Sequence, residues 1–113
     1  MAYYLFIVIN NTNSINEYSS ILGALIVFGD KWTPLLVKQL SDGPKTFSAL
    51  EKILPGISPR TLSQRLDKLI GIDIIGKQLY CAKPPRYQYY LTPKGADLQN
   101  ILTAMAIWSE KYR

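Results

Sequence analysis

Side chains that can hydrogen-bond DNA bases recur along one face of a helix predicted over residues 58–70. At about 100° per residue, Arg60, Thr61, Gln64 and Lys68 lie opposite an apolar stripe. Their guanidinium, hydroxyl, amide and ammonium groups are of the kinds that bond base edges in the major groove of double-stranded DNA. An ordinary solvated amphipathic helix shows the same pattern, so the neighbouring segments must decide between base readout and simple solvation.

The residues at the start of this helix indicate where it begins and which face it buries. Ser58 is a preferred N-cap residue because its hydroxyl can accept a first-turn N–H, and Pro59 suits the first helical position. The apolar stripe that follows consists of Leu62, Leu66, Leu69 and Ile70. We therefore expect a helix that packs one face on a core and presents the polar face outward.

Positive charge is concentrated in the same third of the chain. The protein has 113 residues and a net charge of +5, and residues 58–94 hold seven basic residues against two acidic ones. Residues 1–57 and 95–113 are each neutral. A segregated basic patch of this kind is typical of a surface that binds a polyanion. The candidates for contacts with the DNA backbone are Ser58, Arg65, Lys77, Lys83 and Arg86.

The segments before residue 58 predict helices joined by tight turns. Apolar residues 21–28 and 30–40 are read as two helices, the second capped by Asp30, after a polar, asparagine-rich break at residues 10–16. A third helix, capped by Thr46, should end at Pro55-Gly56. Two helices joined by a short turn that contains glycine are the helix-turn-helix arrangement.

The segments after residue 70 predict a hairpin and a last helix. Residues 74–80 and 87–91 are strand-like and flank a basic tip with two prolines, which cannot belong to a central strand. Thr92-Pro93 then starts the last helix. The predicted fold is mainly α with a small β-hairpin wing. It is a winged helix-turn-helix domain over residues 18–113 with an extra C-terminal dimerisation helix, preceded by an extension, residues 1–17, of unassigned structure.

The last helix carries apolar residues at heptad-like spacing, which can either close the core or pair with a second subunit. A domain of this size already has a core from its other helices, so we expect pairing and a homodimer. The residues predicted for the dimer interface are Leu98, Ile101, Leu102, Met105 and Trp108.

Three segments resemble the HxlR-type family of transcriptional regulators, which is related to the MarR-type proteins. They read GDKWTPLLVKQL, PKTFSALEKILPGISPRTLSQRLDKL and KPPRYQYYLTPKG, and a terminal helix follows that ends near Trp108. Several motifs in the right order are more specific than any single one. The resemblance covers residues 18–110 and implies a small cytoplasmic dimer that binds operator DNA and controls transcription.

The chain departs from the family pattern in two places. Many members of the family sense oxidants or electrophiles through a cysteine just before the first helix, where this chain has Tyr18. Cys81, placed just after the first hairpin strand, is then the remaining candidate for a redox role, and we expect none because no histidine is present to activate it. Gly76 stands where a larger residue is usual, which predicts a loosened strand.

The composition argues against an enzyme. The chain has no histidine, one cysteine, scattered carboxylates and no glycine-rich phosphate loop. We therefore expect no catalytic residues, no metal site and no cofactor. A lone cysteine fits a reducing cytoplasm, and no apolar run approaches the about 20 residues that span a membrane.

These patterns favour a transcriptional regulator that binds double-stranded DNA sequence-specifically, as a homodimer on a palindromic operator. Arg60 suits guanine and Gln64 suits adenine. The alternative is a winged-helix module that contacts protein or RNA without binding an operator. The patterns name no small-molecule or redox effector.

Overall fold

Helix α1 spans Asn13–Phe28 in the computed structural model, which describes residues 13–113 and the side chains from residue 16 onward. The chain separates into two compact units, one that ends at Asp30 and one that runs from Lys31 to Arg113. The predicted polar break is wrong from Asn13 onward, because asparagine and serine are well tolerated in the first turn of a helix. Residues 1–12 of the predicted extension lie outside the described residues.

The second unit contains the helix-turn-helix. Its helices are α2 (Trp32–Leu40), α3 (Phe47–Ile53) and α4 (Pro59–Gly71). α2 begins two residues after the predicted cap, with Lys31 at the cap position. Within the described range, no single helix is long and apolar enough to cross a membrane, and α1 and α2 meet those requirements only when they are taken together.

The caps predicted for α3 and α4 are confirmed. The Thr46 hydroxyl accepts the N–H of Ala49 at 3.1 Å, and the Ser58 hydroxyl accepts the N–H of Thr61 at 3.0 Å. Each bond satisfies a first-turn N–H that has no partner within the helix. These caps fix the first turn of each helix, including the turn of α4 that carries Arg60.

Three antiparallel strands form the wing. They are β1 (Lys45–Thr46), β2 (Ile75–Ala82) and β3 (Pro85–Leu91), in the order β1-β3-β2. The strands extend further toward the tip than predicted, since Ala82 pairs with Pro85. Pro85 is tolerated there because it is the first residue of β3 and has a neighbouring strand on one side only. The other neighbour, β1, pairs with Gln88 and Tyr89 further along the strand. The prediction that Cys81 follows the first strand is therefore wrong.

One core joins α2, α3, α4 and the base of the wing. Three of the four residues of the predicted stripe of α4 are confirmed as core, since Leu62, Leu66 and Leu69 are at most 1% exposed, and Ile70 is half-buried. The other buried apolar residues are Leu36, Val37, Leu40, Leu50, Leu54, Ile57, Ile74 and Ile75. Because α4 buries this stripe, its opposite face is held outward.

The last helical segment is broken where the sequence predicts one helix. Thr92 caps α5 (Pro93–Ala96), and after Asp97 the chain continues as α6 (Leu98–Lys111). The Thr92 hydroxyl accepts the N–H of Gly95 at 3.0 Å and lies within hydrogen-bonding distance of the carbonyls of Asp73 and Ile74. Asp73, two residues after the end of α4, has a left-handed backbone conformation (φ 64°). This hydroxyl therefore ties the end of α4 to the start of α5.

Gly76 does not leave the strand loose. It pairs with Tyr90 across the hairpin, and a Cβ placed on Gly76 would overlap the Tyr90 ring. The ring therefore occupies the space that a side chain at Gly76 would fill, as aromatic residues do opposite glycines in other sheets. The predicted loosening is wrong because it considered one strand without its partner.

Candidate nucleic-acid interface

The outward face of α4 carries the residues predicted to read bases. Arg60, Gln64 and Lys68 are exposed and follow one another at four-residue spacing, so they form one stripe along the helix. Thr61, the fourth predicted residue, is half-buried beside them. The structure therefore brings all four to one surface, which begins at the end of α4 capped by Ser58 and reaches the last turn at Lys68.

Ser58 and Arg65 were predicted to contact the DNA backbone, but Ser58 hydrogen-bonds within its own helix and Arg65 is half-buried. The Ser58 hydroxyl accepts the N–H of Thr61 and donates to the Thr61 Oγ1 at 2.9 Å. Both functions of this hydroxyl are thus used within the first turn of α4. Arg65 lies on the flank of the helix and is half-buried. Their contacts with the DNA backbone stay predictions.

The wing presents a second basic surface. Lys77, Lys83 and Arg86 are all exposed, and Lys83-Pro84 forms the two-residue tip between β2 and β3, with a cis peptide bond. Residues 74–96 contain no aspartate or glutamate. The wing is therefore uniformly positive, as expected of a surface that contacts phosphates.

Two tyrosines of the wing were not among the predicted site residues. The Nζ of Lys77 lies 4.6 Å from the centroid of the Tyr87 ring and 5.9 Å from that of Tyr89. Tyr87 is 44% exposed, so it is not the core residue that its aromatic character suggests. Residues 77, 87 and 89 lie on one face of the hairpin. The sequence alone could not show this, because it follows from the pairing of β2 with β3.

Cys81 lies in β2 and is half-buried. Its thiol donates to the carbonyl oxygen of Lys83, with a sulfur–oxygen distance of 3.9 Å. In the part of the chain that the structure describes, no group of three or more cysteine, aspartate or glutamate residues could hold a metal ion. The thiol thus stands beside the basic tip rather than in a cluster of ligands.

α6 leaves most of its apolar side chains in solvent. No residue of this helix is buried, and Ile101, Met105 and Trp108 are 40%, 48% and 67% exposed. Together with Ala104 they border a shallow concavity of about 480 Å³. Leu98 and Leu102, also predicted for the dimer interface, are half-buried. The exposed stripe does not close the core of its own chain. Of the two roles considered for it, this favours pairing with a second subunit.

The sequence of the chain matches known transcriptional regulators. Residues 27–113 match the family described as HxlR-like helix-turn-helix. The regulator YodB of Bacillus subtilis is 33% identical over 89 residues, which cover 79% of this chain and 80% of YodB. A helix-turn-helix regulator of Methanothermobacter thermautotrophicus is 35% identical over 98 residues, 86% of this chain and 75% of its own length.

Solved structures agree with these matches. The redox regulator HypR in its reduced form has a TM-score of 0.77 at 33% identity, over 81% of this chain and 91% of HypR. A structure from Enterococcus faecalis, assigned to the MarR family of transcriptional regulators, has a TM-score of 0.80 at 30% identity, over 91% of this chain and 94% of its own. The winged helix-turn-helix and the family resemblance are confirmed, and these relatives are regulators rather than enzymes.

Proposed function

The chain belongs to the HxlR-like helix-turn-helix family of transcriptional regulators, and from that premise we propose that it binds a specific double-stranded DNA sequence as a homodimer. The observation that carries this proposal is the exposed stripe of Arg60, Gln64 and Lys68 on a capped helix whose other face is buried. In helix-turn-helix proteins the second helix enters the major groove with its first residues toward the bases. α4 is that helix here.

The two basic surfaces have different tasks. Arg60 has the fork geometry that bonds guanine O6 and N7, and Gln64 can bond adenine N6 and N7, so α4 supplies sequence readout. Lys83 and Arg86 lie at the wing tip, where charge attracts phosphates of any sequence. The wing therefore supplies affinity and register, and α4 supplies specificity.

Dimerisation is proposed to occur through α6. The exposed stripe of Ile101, Met105 and Trp108 would be covered by the same stripe of a second copy, which is the self-complementary contact that two-fold symmetry requires. A symmetric dimer presents two copies of α4, so we expect a palindromic operator with half-sites about 34–36 Å apart.

Alanine variants separate readout from positioning. We expect Arg60→Ala and Gln64→Ala each to lose about 1–3 kcal/mol on the operator and to relax the preference at one base position. Arg86→Ala removes a phosphate contact instead, so it should weaken binding to every duplex alike and lower the salt slope by about one. Affinity for a duplex selected from random sequences and for a scrambled duplex, measured across a salt series, distinguishes the two effects.

The assignment is reversed if Arg60→Ala weakens both duplexes equally while Arg86→Ala affects only the selected one. The DNA-binding proposal itself fails if neither variant changes binding. Asn100→Ala is a matched control, because Asn100 is exposed on α6, outside both basic surfaces, and carries no charge.

Redox sensing through Cys81 is not expected, although HypR is a redox regulator and YodB has been solved after diamide treatment. This chain has Tyr18 near the usual cysteine position, and Cys81 lies in a strand. We expect diamide to leave operator affinity unchanged in the wild type and in Cys81→Ser. Loss of affinity in the wild type alone would instead make Cys81 a sensor.

A further inference from the structure

The wing contains a cation held by aromatic rings. Resting on the proposed DNA-binding function, we propose that Tyr87 is a positioning residue of the interface. Together with Tyr89, it holds the ammonium group of Lys77 where the wing contacts a phosphate of the DNA backbone. The partner is thus the sugar-phosphate backbone of a duplex, and Tyr87 acts on it through Lys77.

The strand register brings these three residues together. Tyr89 is the direct cross-strand partner of Lys77, and Tyr87, the partner of Leu79, lies diagonally two residue pairs closer to the tip. Direct and diagonal neighbours on one face of an antiparallel pair are within reach of aromatic and long side chains. The Nζ of Lys77 lies 4.6 Å from the Tyr87 centroid and 5.9 Å from the Tyr89 centroid, both within the range of a cation–π interaction.

Neutral rings hold a lysine without neutralising it. A carboxylate partner would neutralise the positive charge of Lys77 that attracts a phosphate. The wing has no acidic residue between Ile74 and Ala96. A lysine side chain that is otherwise flexible loses rotamer freedom when it binds, and a preferred position before binding reduces that loss. The rings therefore order Lys77 and leave its charge available.

The position of Lys77 suits a contact beside the recognition helix. Ile75, two residues earlier on the same face of β2, is buried in the core that α4 also lines. Lys77 thus continues outward from the junction between α4 and the wing. Tyr87 is 44% exposed, so its ring faces solvent in part rather than the core.

Four variants test this proposal, with binding to the selected duplex and to the scrambled duplex measured across a salt series. We expect Tyr87→Leu to weaken binding to both by about two- to fivefold, the range of an exposed cation–π pair, and to lower the salt slope. Tyr87→Phe keeps the ring and should bind like the wild type. Lys77→Gln should lower the slope by about one, and adding Tyr87→Leu to it should cause no further loss.

The proposal would be overturned if Tyr87→Leu bound DNA with the affinity of the wild type. It would also be overturned if Tyr87→Leu reduced affinity equally in the wild type and in Lys77→Gln. Equal weakening by Tyr87→Phe and Tyr87→Leu would also overturn it, because the hydroxyl and not the ring would then matter. Failure of this inference is distinguishable from failure of the proposed function. In the first case Arg60→Ala still weakens the selected duplex, and in the second it does not.

Discussion

Replacing Ile101 and Met105 with glutamate is expected to yield a monomer that binds operator DNA about 100-fold more weakly or worse. Both side chains lie in the exposed stripe of α6, so charges there would be desolvated when two copies meet. A monomer engages one half-site at a time and loses the gain of linked binding, which commonly amounts to about 10²–10⁴. Sedimentation gives the particle mass, and titration of the operator gives the affinity.

A charge elsewhere on α6 provides the control for this experiment. Asn100 is exposed but lies about 100° around the helix from Ile101, outside the stripe. Asn100→Glu should therefore remain a dimer with the affinity of the wild type. A wild-type monomer, or an unchanged mass after both stripe substitutions, would contradict dimerisation through α6 and remove the reason to expect a palindrome.

Gly95→Ala is expected to destabilise the domain by about 3 kcal/mol, the upper end of overpacking costs. A Cβ on Gly95 would collide with the backbone carbonyl oxygen of Ile74, and a backbone atom cannot rotate away as a side chain can. The collision would also disturb the Thr92 hydroxyl that joins Asp73 and Ile74 to Gly95. A loss of this size should lower the melting temperature by more than about 10 °C, as circular dichroism would record.

Gly71→Ala is the matched control, because nothing lies within 4 Å of the position its Cβ would take and it ends a helix. Gly71→Ala reduces the conformational freedom of the unfolded chain and introduces no collision in the folded one, so it should leave the free energy of unfolding unchanged or raise it slightly. If both alanine variants melt at the same temperature, the junction at Gly95 is not constrained as described.

The local features of the fold could be predicted from the sequence because each depends on residues close in the chain. Ser58 and Thr46 cap helices through N–H groups three residues away, and the stripe of α4 follows from the helical repeat alone. The base-reading face is fixed by that repeat once the buried stripe is known. These parts of the interface needed no tertiary information.

The cross-strand features could not be predicted in the same way. Strand β1 has only two residues, and its pairing with β3 joins positions more than 40 residues apart. The fit of the Tyr90 ring over Gly76 and the contact of Lys77 with Tyr87 both depend on the register of β2 against β3. A shift of one residue would place the same side chains on opposite faces. The tyrosines of the wing therefore look like core residues until the register is known.

The most direct test of the central claim is the affinity of the wild-type protein for four nucleic acids of equal length. These are a duplex selected from random sequences, a scrambled duplex, single-stranded DNA and RNA, each titrated across a salt series. Readout by α4 predicts that the selected duplex binds about 10³-fold or more tightly than the scrambled one, with weaker binding of both single strands. Equal affinity for the two duplexes, or preference for RNA, would contradict the claim and favour a module that contacts RNA or protein instead.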